Sequence, residues 1–295
     1  MKKILSILVL AGLGVAANAQ TAVKKQDILD LNIRVVTCNV RYMKANDGDN
    51  SWDFRKERLA NTLKGLNADV IGTQEAYDVQ KKYLKKQLKG YNVVGVGRED
   101  GKKKGEHSAI FYNKKRFKAI ECGNFWLSET PDVPSLGWDA ACIRIATWAF
   151  LEEKATGKRF FFVNTHLDHV GVQARRDGVS LLCKKAKEIG GDCPMVITGD
   201  FNAYKESDDI KYVKNIGLTH VYDIADSKTL QPASYHGYKE MSELEKTLPK
   251  DIQPQIIDYI LINQGTCSYY EIMPPKAADG GFISDHCPVF ADITL

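Results

Sequence analysis

The sequence predicts an α/β fold in which mixed β-sheets are covered by helices. Three observations carry that prediction. Apolar runs of strand length recur along the chain. Segments with helical apolar spacing alternate with them. At least one pair of runs is joined by a turn short enough for a hairpin, so the sheets are not purely parallel.

In chain order, "IRVVTCNVRY" reads as a strand running into Asn39, and "WDFRKERLANTLKGLN" as a helix with Phe54, Leu59, Leu63 and Leu66 on one face. "DVIGTQEA" is a strand reaching Glu75, and "VQKKYLKKQLKG" a helix whose Lys81, Lys82, Lys85, Lys86 and Lys89 form a solvated face. "YNVVGVGRED" reaches Arg98, and "HSAIFYN" precedes a basic turn. "IRIATWAFLEEKATGKRFFFVNTHLDH" reads as two strands about Thr156-Gly157, ending at His166. "VQARRDGVSLLCKKAKEI" is helical. "PMVITGDFNA" is a strand that ends on Asp200 and Asn202, with Gly199 expected to turn the chain and Phe201 to point back into the core. Residues 228–254, with Pro232, Pro249 and Pro254, read as a polar loop, either over a site or simply inserted, with insertion preferred. "IIDYILIN" carries Asp258, and "ISDHCPVFADITL" opens on Asp285 and His286.

The first residues belong to no fold. Lys2 and Lys3 precede an apolar run that ends in Ala17-Asn18-Ala19, the pattern of a secretory leader cut after Ala19. The run is short for a membrane span. The expectation is a leader over 1–19 and one domain over 20–295, exported to the periplasm or beyond, with no stable membrane anchor after cleavage. Formal charge is +4, falling to +2 without Lys2 and Lys3. That near-neutral balance argues against a general polyanion binder. The seven cysteines show no zinc spacing; export permits a disulfide, but the spacing names no pair.

The polar residues at the strand ends form a set: Asn39, Glu75, His166, Asp200, Asn202, Asp258, Asp285 and His286. A carboxylate there needs a partner or a metal, and strand ends are where α/β folds collect ligand sites. Oxygen donors without thiolates suit Mg2+ or Mn2+. The same types suit phosphoester hydrolysis, with a metal on Glu75, Asp200 on the attacking water, and Asn202 and two histidines on the phosphorus oxygens. Asp258 would orient His286. Singly, each also reads as a capping, turn or satisfied core residue.

"TQEA", "NTHLDH", "GDFNA", "IDYILI" and "SDHCPV", in that order, resemble the endonuclease/exonuclease/phosphatase superfamily from about Ile33 to Leu295. The resemblance implies a four-layer α/β sandwich, two mixed sheets face to face with helices outside. It implies Glu75 as main metal ligand with Asn39 and Asp285 nearby, Asp200 and Asn202 at the attacking water, and His166 and His286 on the phosphate, with Asp258 behind His286. "SWDFRKERL", "VGVGREDGKKKGEHSAIFYN" and "FWLSETPDVPSLGWDAACIRIATWA" are similar to a secreted bacterial branch distantly related to the deadenylases. There Arg98, Asp168 and Arg175 would touch substrate. Arg98 suits a second anion or, equally, a salt bridge to a neighbouring acid. Phe125 and Trp126 suit either a rim or the core.

The leading expectation is an exported, metal-dependent phosphodiesterase of nuclease type, acting on a small or single-stranded phosphoester such as a nucleic acid or nucleotide. The alternatives are a phosphomonoesterase on a sugar, inositol or nucleotide phosphate, and a non-catalytic binding protein on the same fold. No protein partner is implied.

Overall fold

The computed structural model describes residues 30–295, so the expected leader lies outside the described residues. Its strands, in chain order, are β1 (Asn32–Asn39), β2 (Val70–Tyr77), β3 (Tyr91–Val94), β4 (Glu106–Asn113), β5 (Phe117–Trp126), β6 (Ile145–Glu153) and β7 (Arg159–His166). They continue as β8 (Met195–Asp200), β9 (Thr219–His220), β10 (Ala225–Thr229), β11 (Asp258–Ile262), β12 (Thr266–Ile272) and β13 (Val289–Thr294). One sheet has the order β10-β12-β13-β1-β2-β4-β3, the other β5-β6-β7-β8-β11-β9. Both are mixed: β1 and β2 are parallel, as are β7 and β8, within largely antiparallel surroundings.

Strand periodicity explains the layering. Val35, Val70 and Ile110 enter one core cluster with Ala146, Phe162 and Val196 of the second sheet. Their chain neighbours Val36, Ile71 and Phe111 enter another, with Leu59 and Leu63 of α1 (Trp52–Gly65) and Leu84 of α2 (Asp78–Gln87). Successive side chains of one strand face opposite ways, so the first sheet is buried on both faces. On the second sheet, α3 (Val172–Gly190) adds Val179, Leu182 and Ala186. Burying each large aliphatic side chain contributes about 1.5–3 kcal/mol. The result is the four-layer sandwich that the family resemblance implies.

Polar groups cross between the sheets. Gln74 Nε2 donates to Asn164 Oδ1 at 2.7 Å, and Asn164 Nδ2 donates to the carbonyl of Thr73 at 2.9 Å. Gly72 makes this approach possible, because a Cβ there would lie 2.3 Å from Thr198 Oγ1. Buried amides satisfied in this way fix one register.

Several expectations change. Gly199 does not turn the chain. It lies inside β8, where a Cβ would lie 2.5 Å from the Thr165 carbonyl oxygen. Phe201 does point into the core, 5.1 Å from the Tyr259 ring. Phe125 and Trp126 are core residues of β5, and all seven cysteines are unbonded. Residues 228–254 are partly ordered as the end of β10 and as α6 (Met241–Thr247), which follows α4 (Asp208–Asn215) and α5 (Val221–Ile224). No helix among the described residues is long and apolar enough to cross a membrane.

Candidate active site

Sheet register brings the polar strand ends together. Asn39 ends β1 opposite Gln74 of β2. His166 ends β7 opposite Asp200, which ends β8. Asp258 opens β11, antiparallel to β8, also opposite Asp200. Asp285 and His286 precede β13, which runs antiparallel to β1. All therefore emerge at one end of the sandwich.

Glu75 needs a special backbone. The β2–β4 register shifts between Thr73 and Ala76, and Glu75 has φ 62°. This bulge turns the side chain from the sheet into the cleft. A non-glycine residue at such φ is strained by about 1–2 kcal/mol. Glu75 Oε1 accepts from Asn39 Nδ2 at 2.9 Å, and Oε2 from the Tyr42 backbone N–H at 2.8 Å.

Asp200 is the hub. Its Oδ2 accepts from Asn39 Nδ2 at 2.9 Å and lies 3.5 Å from His166 Nε2 and 3.6 Å from His286 Nε2. Its Oδ1 accepts the Asn202 backbone N–H at 3.0 Å. Asn202, at φ 48°, sets its amide nitrogen 3.0 Å from His166 Nε2. Behind His286, Asp258 Oδ2 lies 2.9 Å from Nδ1.

The two histidines differ in charge. Burial drives the proton off His166, and the Arg144 and Arg98 guanidiniums add to this, so it is neutral. Burial opposes charge on His286 too, but the Asp258 and Asp200 carboxylates outweigh it and hold its proton on. Burial pushes the Asp200 carboxyl up, and the His286 charge acts against that.

A cleft of about 540 Å³ is lined by Glu75, His166, Asp200, Asn202, Asp285 and His286 among others. Asn39 and Asp258 stand behind this surface, fully buried. Asn39 Oδ1 accepts the Arg41 backbone N–H at 2.9 Å, so its carboxamide clamps Glu75 and Asp200 with its amide. Burial and the charge of Glu75 push the Asp285 carboxyl up, although the charge on His286 opposes this. Two crowded oxygen donors of this kind fit a hard divalent cation.

The structure does not bring Asp168 or Arg175 to the cleft, which corrects the expectation that they touch substrate. Asp168 is 1% exposed. Its carboxylate accepts the N–H groups of Ala141, Val170 and Gly171 and the Arg144 guanidinium. Burial alone would raise its pKa, but these donors hold it down at about 2. Arg175 donates to the Asp168 carbonyl and lies 3.7 Å from Asp209. Arg98 does line the cleft, in a two-bond ion pair with Glu106.

Residues 36–286 match the Endonuclease/Exonuclease/phosphatase family. The chain belongs to the endonuclease/exonuclease/phosphatase family. Among solved structures, a family protein of Bacteroides vulgatus is 38% identical, with 89% of this chain and 98% of that one covered at a TM-score of 0.81. A mannosyl-6-phosphatase of Bacteroides thetaiotaomicron VPI-5482 is 33% identical, with 89% and 100% covered at 0.81. The human Nocturnin catalytic domain, 20% identical at 0.64 over 90% of this chain and 95% of that one, shares the fold. An uncharacterized protein of Acanthamoeba polyphaga mimivirus is 31% identical over 161 residues, which are 51% of this chain and 59% of that protein. Protein angel of Drosophila melanogaster is 24% identical over 229 residues, 76% of this chain and 62% of that protein. The chain thus spans about three fifths of the length of the curated relatives it matches.

Within this family site, sequence reading missed Arg41, Glu106, Arg144, His169 and Tyr235 on the cleft wall. Arg41 pairs with Asp47 at 2.9 Å and Asp285 at 3.3 Å. Arg144 Nη2 lies 2.9 Å from His169 Nδ1. Tyr235, 47% exposed, sets its ring 4.8 Å from that of His286. Glu106 stands just before the run "HSAIFYN", Arg144 lies in "CIRIATWA" and His169 closes "NTHLDH", but nothing in those stretches singles them out from their neighbours.

Proposed function

We propose that the protein is an exported, divalent-metal-dependent phosphomonoesterase acting on a small phosphorylated compound of the sugar-phosphate class. One observation carries the monoester reading over the diester reading. The arginines of the cleft, Arg41, Arg98 and Arg144, are each paired with a carboxylate, and among the described residues no lysine lines it. A polynucleotide backbone requires a track of free cations beyond the scissile phosphate. A single small ester does not. The 33% identity to a mannosyl-6-phosphatase supports the sugar-phosphate class.

Glu75 and Asp285 would hold Mg2+ or Mn2+, oriented by Asn39, Tyr42 N–H and Arg41. The ion supplies charge neutralisation at the phosphate oxygens and the leaving oxygen. The chain's own residues do the rest. Asp200 takes the proton of the attacking water, and its burial makes it a stronger base than a solvated aspartate. Asn202 fixes that water against the phosphorus. His286, kept cationic by Asp258, donates to a phosphoryl oxygen as charge builds there. His166 and Asn202 brace one another at 3.0 Å and so fix the other side of the phosphate.

Phosphate release from a panel of hexose phosphates, nucleotides and short single-stranded DNA tests the reading. Release from the hexose phosphates that is abolished by EDTA is expected. Hydrolysis confined to DNA would return the diester reading. The export reading rests on the leader pattern; a secreted product beginning at Gln20 is expected from N-terminal sequencing, and an intact Met1 would refute it.

A further inference from the structure

The wall beside the phosphate site carries a second recognition element. Arg98 stands early in the segment between β3 and β4, and its backbone N–H donates to the Glu106 carbonyl at 3.0 Å. Trp126 Nε1 donates to the Arg98 carbonyl at 2.7 Å, so the arginine is held from both sides. Its guanidinium meets Glu106 in two parallel bonds of 2.7 and 3.0 Å. Both side chains are 13% exposed, and both face the cleft that holds His166 and Asn202. No other side-chain hydrogen bond of Arg98 occurs among the described residues.

The chemistry of that edge is specific. A guanidinium has five N–H donors, and two are spent on Glu106. The carboxylate keeps lone pairs on both oxygens. The pair therefore offers donors and acceptors side by side with little net charge. A hydroxyl is both donor and acceptor and can satisfy both at once. A second phosphate or carboxylate is acceptor only, and would face the Glu106 carboxylate. The other arginines cannot relieve this, since Arg144 is 3.2 Å from Asp168 and Arg41 is bound to Asp47 and Asp285.

We propose that Arg98 and Glu106 form a subsite that reads the hydroxyl groups of a neutral polyol attached to the scissile phosphate, and that Glu106 excludes a second anionic group there. The inference rests on the phosphomonoesterase reading and adds how the leaving group is chosen. Specificity of this kind combines a matched hydrogen-bond edge with a repulsive element.

The test compares the wild type with Glu106→Gln, which keeps the shape and removes the charge. Three esters are assayed with Mg2+: phenyl phosphate, a hexose 6-phosphate and a hexose 1,6-bisphosphate. Glu106→Gln is expected to lower kcat/KM for the hexose 6-phosphate about 10-fold, mainly through KM, and to leave phenyl phosphate within about 2-fold. The preference for monophosphate over bisphosphate is expected to fall about 10-fold. Equal losses on phenyl phosphate and hexose phosphate, or an unchanged preference, would overturn the proposal. If Glu106→Gln does not fold, as read by its melting curve, Glu106→Ala, which also removes the charge, carries the same comparison. If the wild type hydrolyses none of the three, the phosphomonoesterase reading fails, and calorimetric titration decides the subsite. Tighter binding of the monophosphate than of the bisphosphate, lost in Glu106→Gln, upholds it; equal binding overturns it.

Discussion

At the scale of the residue, Glu75 shows how this fold holds a carboxylate where the backbone resists it. Its φ of 62° is imposed by the bulge in β2. Strain of this kind costs of order 1–3 kcal/mol and collects at functional sites. Glu75→Gly should therefore leave the urea midpoint unchanged or raise it, while cutting kcat about 10³-fold; a midpoint that falls with activity retained would contradict this reading. Gly199 is the opposite case. A Cβ there would meet the Thr165 backbone, which has no side-chain freedom to yield. Gly199→Ala should destabilise the protein by about 1–3 kcal/mol in urea titrations.

At the scale of the element, Arg55 on α1 ties the loop after β1, whose Arg41 pairs with Asp285, to the loop before β13 that carries Asp285. It is fully buried and donates to the carbonyls of Val40, Arg41, Asn50 and Ile283. Arg55→Leu leaves those acceptors unpaired and should cost about 3 kcal/mol or more in urea unfolding, with Arg55→Lys intermediate. An Arg55→Leu variant as stable as wild type would show that the loops do not depend on it. These contacts also mark what was legible beforehand. Asp200, Asp258 and Asp285 interrupt or end apolar runs, so their sequence context announces them. Arg55 reads as one more polar position on an amphipathic helix, because its partners are carbonyls that no sequence pattern displays. β5 was hidden for a different reason: its middle, Lys118 to Asn124, is largely solvent-facing and lacks a buried alternation. Tyr235 sits in a polar segment that reads as an insertion, and only the bridge from Tyr235 to His286 places it over the site.

At the scale of the whole molecule, buried neutral histidines set the response to acid. Burial pushes His107 down to about 4 and His220 and His236 down to about 3. In the unfolded chain each titrates near about 6.5. As pH falls below that value the unfolded state takes up protons first, so stability present above about 6.5 is lost progressively toward the folded values. These histidines therefore lower the urea midpoint between pH 7 and 4.5, against the raised Asp200 and Asp285 carboxyls, which act the other way. His220→Phe should make the midpoint fall less, or rise more, than wild type over that range; an identical pH dependence in wild type and His220→Phe would contradict this. The same architecture explains why the fold was more legible than the specificity. Layering follows from apolar period, which is local in sequence, whereas the Arg98–Glu106 pair, the Asp168 cage and the pairing of Arg41 arise only when strands and loops converge.

In the proposed reaction Asp200 activates water for hydrolysis of a small phosphomonoester beside a divalent ion. The most direct measurement is steady-state phosphate release from a hexose 6-phosphate by wild type and Asp200→Asn, each with Mg2+ and with EDTA. Turnover is expected from the wild type with Mg2+ alone, with a loss of about 10³-fold or more in Asp200→Asn while its melting curve stays intact. Turnover by a folded Asp200→Asn variant within about 10-fold of wild type, or full wild-type activity in EDTA, would contradict it.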